Sequence, residues 1–224
     1  MPFSSVEAVF FDIDGVLIDS LPEHLRICRD KAIEFGLKLK IPTVGEFREM
    51  VRRGTKVSPM RYFFLAVGFP EYLADRAVVD YQNEFMERYR PKPFANTEKL
   101  LSKLRKAGLK IGLVTSNTRA NVEPALGHAM EYFEKSCLFY FDRYPEPKSK
   151  PWCLKEGARV LDLPPDKCVY VGDQPADAAA ARDAGTQFLG VTYGWGITAS
   201  DTQYTNAKSV LEIADKLIGL HVQP

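Results

Sequence analysis

The sequence lacks the features that mark membrane and exported proteins. No apolar stretch is long enough to span a bilayer. The N-terminus MPFSSVEAV has no basic region followed by an apolar run, so no signal peptide is apparent. We therefore expect a cytoplasmic protein that has no membrane partner.

Cysteine, net charge and repeats are also scarce. The four cysteines are scattered without CxxC spacing, which predicts reduced thiols and excludes a disulfide framework or a cysteine metal knot. Thirty basic residues against 29 acidic ones leave a net charge of +1, which argues against a surface for nucleic acid. No internal repeat or low-complexity tract is present.

The chain of 224 residues does contain short apolar runs that alternate with helical patterns, and its hydrophobic content of 46% permits a real core. The runs read as buried strands, at residues 7–13, 110–116, 137–141, 168–173 and 186–194. Nearly apolar strands that alternate with helices predict a parallel sheet covered on both faces, which is a three-layer α/β fold of the Rossmann-like kind.

One long segment breaks this alternation, because residues 20–91 show helical patterns only. Ser20 and Glu23 resemble a capping box at its first helix. We therefore expect an α/β core made of residues 1–19 and 92–224, with residues 20–91 inserted after the first strand as a separate helical domain.

The first strand ends in closely spaced carboxylates, in the stretch FFDIDG. Asp12 and Asp14 are two residues apart, so both side chains can face the space beyond the strand end, where open α/β sheets bind ligands. Two neighbouring carboxylates repel each other, and a hard divalent ion such as Mg²⁺ relieves that repulsion. Gly15 lets the backbone turn and bring N–H groups close to an anion.

Other strand ends carry polar groups of complementary chemistry. They offer hydroxyls and an amide, two further carboxylates and two lysines, namely Thr115, Ser116, Asn117, Asp173, Asp177, Lys148 and Lys150. Carboxylates for a metal, donors for an anion and a carboxylate nucleophile together suit phosphoryl transfer, in which positioning and charge stabilisation carry most of the catalysis.

Four motifs in order resemble those of the haloacid dehalogenase superfamily. FDIDGVLIDS is similar to the first motif DxDG(T/V), LVTSN to the second, KSKP to the lysine motif and GDQPADAAAARDAG to the fourth. The helical segment between the first two motifs is similar to the family's type 1 cap. The resemblance covers nearly the whole chain and points to the branch of phosphoglycolate phosphatases and β-phosphoglucomutases.

The resemblance implies a role for each carboxylate. Asp12 would attack phosphorus and form an aspartyl phosphate, while Asp14 would serve as acid and then base. Mg²⁺ would be held by Asp12, by the backbone carbonyl of Asp14 and by Asp173. Asp177 would support the metal ligands without touching the metal.

The resemblance also implies which residues bind the phosphoryl group. Thr115 and Lys148 would do so, with Ser116 and Gly15 beside them, and Asn117 would support the site from behind. The lysine is ambiguous, because Ser149 replaces the usual proline and Lys150 follows it. We favour Lys148, since Pro151 then takes the place of the motif's second proline.

Substrate choice is expected to depend on the helical segment. Its basic stretch VRRGTKVSPMR predicts that Arg53 or Lys56 contacts a second anionic group of the substrate, although a solvated helix end is the simpler interpretation. His24 is a further candidate, at a spacing seen in both mutases and phosphatases of the family.

The sequence thus predicts a Mg²⁺-dependent phosphatase that acts on a small phosphorylated metabolite, as a monomer or a homodimer. The alternative is a phosphomutase that uses the same residues. A dehalogenase would need neither Asp14 nor a metal, and a non-catalytic protein would be expected to lack one of Asp12, Asp14, Lys148 and Asp173, all of which are present.

Overall fold

The structure is a computed structural model that describes residues 5–218. Its strands are β1 Ala8–Phe11, β2 Ile18–Asp19, β3 Lys92–Pro93, β4 Lys110–Val114, β5 Leu138–Phe139, β6 Cys168–Gly172, β7 Gln187–Val191 and β8 Thr205–Ala207. Its α-helices are α1 Leu21–Glu34, α2 Val44–Arg52, α3 Met60–Ala66, α4 Glu71–Glu84, α5 Thr97–Lys106, α6 Arg119–Leu126, α7 Lys150–Val160, α8 Pro175–Ala184 and α9 Val210–Ile218. A π-helical turn, Phe85–Tyr89, extends α4, and three short 3₁₀ turns cover Gly127–Tyr132, Lys135–Cys137 and Pro165–Lys167.

Six of the strands form one parallel sheet in the order β5-β4-β1-β6-β7-β8. Strand β1 is central, and its last residue, Phe11, is in register with Leu113 of β4 and Val171 of β6. The chain passes to one side of β1 first and to the other side later, so a crevice opens at the carboxyl end of β1. This topology brings the ends of β1, β4 and β6 together.

Helices cover both faces of the sheet, as the nearly apolar strands predicted. Alternate residues of β1 point to opposite faces: Val9 and Phe11 join a cluster with α5, α6 and α9, whereas Ala8 and Phe10 join a second cluster with α7 and α8. The predicted α/β fold is confirmed, although most strands are shorter than the apolar runs that indicated them.

The segment 20–91 is helical, as predicted, and has its own hydrophobic cluster. Buried side chains from α1 to α4 pack together there, among them Phe47, Phe63 and Phe85. The chain leaves the α/β part along β2 and returns along β3, which pair antiparallel. The division into two domains stays a prediction.

The predicted capping box at α1 is wrong. Ser20 has helical dihedral angles (φ −96°, ψ −15°) and its side chain makes no capping hydrogen bond. Glu23 forms an ion pair with Arg26 at 3.0 Å instead. An N-cap residue needs an extended backbone to turn its side chain towards the first helical N–H groups, and Ser20 does not have one.

The cysteines agree with the sequence-based expectation, because all four are buried and free. Among residues 5–218, none of the helices combines the length and the apolar character that crossing a membrane requires.

Candidate active site

Three aspartates meet at the carboxyl ends of β1 and β6. Asp12 follows β1 directly and its N–H donates to the carbonyl of Val171 at 2.9 Å. Asp173 follows β6 and is fully buried, and Asp177 lies in the first turn of α8. Carboxylate oxygens of Asp12, Asp173 and Asp177 lie within 4.8 Å of one another, which is close enough for a shared cation.

Asp177 differs from the other two because both of its oxygens already have partners. Its Oδ1 accepts from Lys150 at 2.7 Å, and its Oδ2 accepts from the backbone N–H groups of Asp173 and Gln174 at 3.2 and 3.1 Å. It therefore fixes the turn at the start of α8 and anchors the lysine.

The two carboxylate oxygens of Asp173 differ in their hydrogen bonding. Its Oδ2 accepts from the backbone N–H of Trp195 at 2.5 Å, but its Oδ1 is buried and has no hydrogen-bond partner among the described residues. A buried acceptor without a partner is costly, so this oxygen is the natural ligand for a cation.

The electrostatics of the cluster also favour a cation. Burial raises the pKa of Asp12 to about 7, with contributions from the Asp177 and Asp14 carboxylates, although Lys150 opposes the rise. Burial and the same kind of repulsion, from Asp177 and Asp12, raise the pKa of Asp173 well above its usual value. Carboxyl groups that resist ionisation beside one another gain most from a divalent ion.

Lys150, and not Lys148, is the lysine that reaches the aspartates. Its Nζ lies 3.0 Å from Asp12 Oδ2 and 2.7 Å from Asp177 Oδ1. Burial opposes the charge of Lys150, but Asp12 and Asp177 outweigh it and raise the pKa of this lysine well above its usual value. Lys148 is exposed, so the sequence-based preference for it is corrected.

The physical reason for this correction is where α7 begins. Ser149 is its N-cap and accepts from the Trp152 N–H at 3.4 Å. Lys150 is therefore the first residue of the helix and lies at the crevice, whereas Lys148 belongs to the exposed, irregular segment before it.

Asp14 is not one of the three clustered aspartates, and its carboxylate is bonded to an amide. Its Oδ2 accepts from Asn117 Nδ2 at 3.0 Å. The orientation of that amide is unambiguous, because Asn117 Oδ1 accepts from the backbone N–H of Thr118 at 2.8 Å. The Thr115 hydroxyl accepts from the Asn117 N–H at 3.1 Å, so these residues form one connected turn after β4.

A cavity of about 280 Å³ opens over these groups. Its lining includes several predicted residues, namely Asp12, Asp14, His24, Thr115, Ser116, Asn117 and Lys150. It also includes an apolar wall from the helical segment and from two loops, of Val57, Met60, Phe63, Val78, Phe141 and Trp195.

Neither Arg53 nor Lys56 lines the cavity. Arg53 is exposed and pairs with Glu49 on its own helix at 3.0 Å, and the Lys56 ammonium lies 3.7 Å from the centre of the Tyr62 ring. Arg61, in the same basic stretch, does line the cavity. Of the basic residues in this stretch, Arg61 rather than Arg53 or Lys56 therefore lies where it could reach a ligand in the cavity.

Comparison with known proteins identifies the family. The model of the haloacid dehalogenase-like hydrolases matches residues 6–185. The chain belongs to this family. It is 30% identical over 199 residues to an N-acetylmuramic acid 6-phosphate phosphatase from Pseudomonas aeruginosa, covering 85% of this chain and 83% of that one.

Further relatives agree with this assignment. A phosphoglycolate phosphatase from Xylella fastidiosa is 32% identical over 197 residues, covering 84% of this chain and 80% of that protein. A haloacid dehalogenase-like hydrolase from Streptococcus pneumoniae has the same fold, with a TM-score of 0.76 at 21% identity over 94% of this chain and 98% of that one. The predicted family and fold are both confirmed.

Gly15 has a different part in this haloacid dehalogenase-like chain from the one predicted. Its N–H donates to the carbonyl of Ile18 at 2.9 Å, so it is not free for an anion. Its φ of +79° favours glycine, and a Cβ there would lie 2.2 Å from Asp173 Oδ2. Gly15 therefore makes room for the Asp173 carboxylate.

Two residues near the site escaped the sequence analysis. Trp195 places its backbone N–H on Asp173 and its ring in the hydrophobic cluster of the helical segment. Its position between two glycines in YGWG, after an apolar run, was the available signal. Tyr81 donates to Asn117 Oδ1 at 3.3 Å, and nothing in the spacing of α4 marked it.

Proposed function

We propose that the protein is a Mg²⁺-dependent phosphatase that hydrolyses small phosphate monoesters through an aspartyl phosphate on Asp12. The enzyme class, a phosphoric monoester hydrolase, was predicted and is confirmed by the family and its phosphatase relatives. The observation that carries the mechanism is the buried Asp12 carboxylate, which faces the cavity beside Lys150 and two further aspartates.

The residues present fit a magnesium ion. Asp173 offers a buried oxygen without a partner, and Asp12 lies beside it with a raised pKa. Asp12, Asp173 and the backbone carbonyl of Asp14 would hold the ion, while Asp177 stays bonded to Lys150. When bound, the ion supplies positive charge to the phosphoryl oxygens and to the Asp12 carboxylate.

In the first step a carboxylate oxygen of Asp12 forms a bond to phosphorus and the ester P–O bond breaks. Asp14 gives its proton to the departing alcohol oxygen. Lys150 and the Thr115 hydroxyl, which both line the cavity, bind the phosphoryl oxygens.

In the second step a water molecule attacks phosphorus and Asp14 takes one of its protons. The P–O bond to Asp12 breaks, which releases phosphate and restores the Asp12 carboxylate. Asp14 returns to its protonated form, so the proton count balances over the cycle. Asn117, bonded to Asp14, keeps this carboxyl directed at the reacting group in both steps.

The test is phosphate release from p-nitrophenyl phosphate with Mg²⁺ and with excess chelator. We expect activity with Mg²⁺, its loss in chelator, and at least a thousandfold loss in Asp12→Asn. Asp183→Asn removes an exposed carboxylate that pairs with Arg182 and should retain activity. Full activity in chelator would contradict the metal requirement, and an active Asp12→Asn would contradict the nucleophile.

We further propose that the substrate carries a carboxylate, which Arg61 binds. The two curated relatives act on phosphoglycolate and on N-acetylmuramic acid 6-phosphate, and both of these phosphate esters contain a carboxylic acid. Arg61 lines the cavity, and its Nε lies 2.5 Å from Asp75 Oδ1, with which it forms an ion pair. Among the described residues nothing bonds its two Nη groups, so they can bind a carboxylate with two parallel hydrogen bonds.

A panel of phosphate esters matched in size, with and without a carboxylate, tests this specificity. Arg61→Gln should lower kcat/KM about 10- to 100-fold on the carboxylated esters, since each 1.4 kcal/mol of charge-assisted binding corresponds to a factor of ten. It should change kcat/KM on the esters without a carboxylate by less than about threefold. Arg53→Gln is the matched control, because that arginine is exposed and bonded to Glu49. An equal loss on both sets would contradict the role of Arg61.

The phosphomutase alternative is not favoured. The curated relatives are phosphatases, and His24 is buried among aromatic rings, where burial lowers its pKa. Conversion of glucose 1-phosphate to glucose 6-phosphate, without free phosphate, would reverse this conclusion. The cytoplasmic location and the oligomeric state stay predictions.

A further inference from the structure

A chain of hydrogen bonds connects the helical segment to Asp14. His24 Nε2 lies 3.1 Å from the Tyr81 hydroxyl, Tyr81 donates to Asn117 Oδ1 at 3.3 Å, and Asn117 Nδ2 donates to Asp14 Oδ2 at 3.0 Å. The first two residues belong to α1 and α4, and the last two lie at the ends of β4 and β1. The hydrogen-bond chain therefore crosses from the helical segment to the strand ends of the sheet.

The chemistry of the groups gives the direction of the two hydrogen bonds that Asn117 makes with Tyr81 and Asp14. The Asn117 Oδ1 atom can only accept, and the backbone N–H of Thr118 fixes it on the side of Tyr81. In the Tyr81–Asn117 hydrogen bond the phenol is therefore the donor, and the role of His24 Nε2 towards the same hydroxyl follows the tautomer of the ring. Burial raises the pKa of Tyr81 well above its usual value, so this hydrogen stays on the phenol.

His24 and Asn117 are both closely surrounded by other side chains. His24 lies 4.7 Å from Phe85 and 5.5 Å from Trp195, measured between ring centres, and is 3% exposed. Asn117 accepts a further hydrogen bond from Asn121 Nδ2 at 3.0 Å. Donors from Thr118, Asn121 and Tyr81 thus hold the buried amide together, and Tyr81 is the one of these three that belongs to the helical segment.

We infer that Tyr81 is a positioning residue for Asp14: through Asn117 it sets the direction of the Asp14 carboxyl towards the leaving oxygen. This inference rests on the proposed function, in which Asp14 is the acid and base. It adds that the helical segment contributes a residue that acts on the chemical step, besides those that touch the substrate.

The inference predicts an effect that depends on the leaving group. Departure of an alkyl alcohol from its phosphate ester needs a proton from Asp14, whereas p-nitrophenolate leaves with little help from an acid. The value of kcat/KM reports the step in which the leaving group departs. Tyr81→Phe removes only the hydroxyl, so it should lower kcat/KM about tenfold on an alkyl phosphate and less than twofold on p-nitrophenyl phosphate. The tenfold loss is a fraction of the 10²–10⁴-fold that acid–base catalysis supplies, because Asp14 is still present.

The experiment measures both substrates with Mg²⁺ for the wild type, Tyr81→Phe and Tyr89→Phe. Tyr89 is the matched control, since its hydroxyl donates to Asp30 at 2.9 Å in the same helical cluster and does not line the cavity. Asn117→Ala should show the same split between substrates, and it serves if Tyr81→Phe does not fold. In an Asp14→Asn background, Tyr81→Phe should cause no further loss on the alkyl phosphate.

Three results would overturn the inference. An equal loss on both substrates would assign Tyr81 to the shape of the pocket, and a tenfold loss that persists in the Asp14→Asn background would mean that Tyr81 does not act through Asp14. No loss on either substrate would mean that the hydrogen bond is not used. A wild type inactive on every phosphate ester would overturn the proposed function as well, which distinguishes the two failures.

Discussion

The metal-free protein should become less stable as the pH rises from about 4 to 7. Burial, with help from Asp177 and Asp14 and against the effect of Lys150, raises the pKa of Asp12 from 3.8 to about 7. Between these values the folded chain keeps a proton on Asp12 that the unfolded chain has released. The folded state then binds more protons than the unfolded state, so raising the pH favours unfolding.

The magnitude follows from the pKa of Asp12. One such group contributes a slope of about 1.4 kcal/mol per pH unit, and over the whole window the free energy of unfolding falls by about 4 kcal/mol. This is a large part of the 5–15 kcal/mol that typically stabilises a domain. Asp173 acts in the same direction, because its pKa is also raised.

Magnesium should reverse this loss. Protons and Mg²⁺ compete for the same carboxylate oxygens, so the stabilisation by Mg²⁺ should be small at pH 5 and should increase towards pH 7.5. The assay is urea unfolding at four pH values between 5 and 7.5, with chelator and with Mg²⁺. Asp12→Asn should have a shallower slope in chelator, while Asp183→Asn, which alters an exposed carboxylate, should keep the wild-type slope.

Two results would refute this reasoning. The first is a metal-free protein whose stability rises between pH 5 and 7, which would mean that the Asp12 carboxylate is stabilised without a metal. The second is an effect of Mg²⁺ that is equal at pH 5 and pH 7.5, which would place the ion away from the carboxylate cluster.

Three other predictions test the site. Asp14→Asn should accumulate a phosphoryl group on Asp12 when given p-nitrophenyl phosphate, because that leaving group needs little acid but hydrolysis of the intermediate still needs a base. Intact-protein mass spectrometry and peptide mapping would detect the phosphoryl group, and a label on another residue would disprove the assignment of Asp12 as nucleophile. In a steady-state assay, Lys150→Met should lower kcat/KM by about 10²–10³-fold and Lys148→Met by less than about twofold. The reverse order would support Lys148 as the lysine that binds the phosphoryl group. Gly15→Ala should lower the free energy of unfolding by about 1–2 kcal/mol from the backbone conformation alone. It should also weaken Mg²⁺ binding measured by calorimetry, and unchanged metal affinity would contradict the close approach of this glycine to Asp173.

Much of the fold and part of the site could be predicted because the signals are local. An apolar run followed at once by Asp12 and Asp14 identifies a buried strand and its functional end within eight residues. Parallel topology then brings the ends of β1, β4 and β6 together without further information. The same reasoning indicated Thr115, Asn117 and Asp173, all of which lie at these strand ends.

The errors arose where the outcome depends on orientation or distant contacts. Lys148 and Lys150 differ by two positions, and only the helix that starts after Ser149 determines which one faces the crevice. Charge alone could not distinguish Arg53, which is exposed just after α2, from Arg61, which lines the cavity.

Tyr81 meets Asn117 across 36 positions of sequence, through helix packing that no local pattern describes.

The ribbon of β2 and β3 has a consequence for how such proteins diversify. Ile18 pairs with Pro93 and Asp19 with Lys92, so the two ends of the helical segment lie about 5 Å apart. With its ends so close, the segment can change in length at little entropic cost, since doubling a loop costs only about 0.6 kcal/mol. Evolution, or a protein engineer, can therefore exchange the whole segment for another and retain the hydrolytic apparatus, provided that the replacement accommodates the Trp195 ring and supplies a hydrogen-bond donor to Asn117 in place of Tyr81.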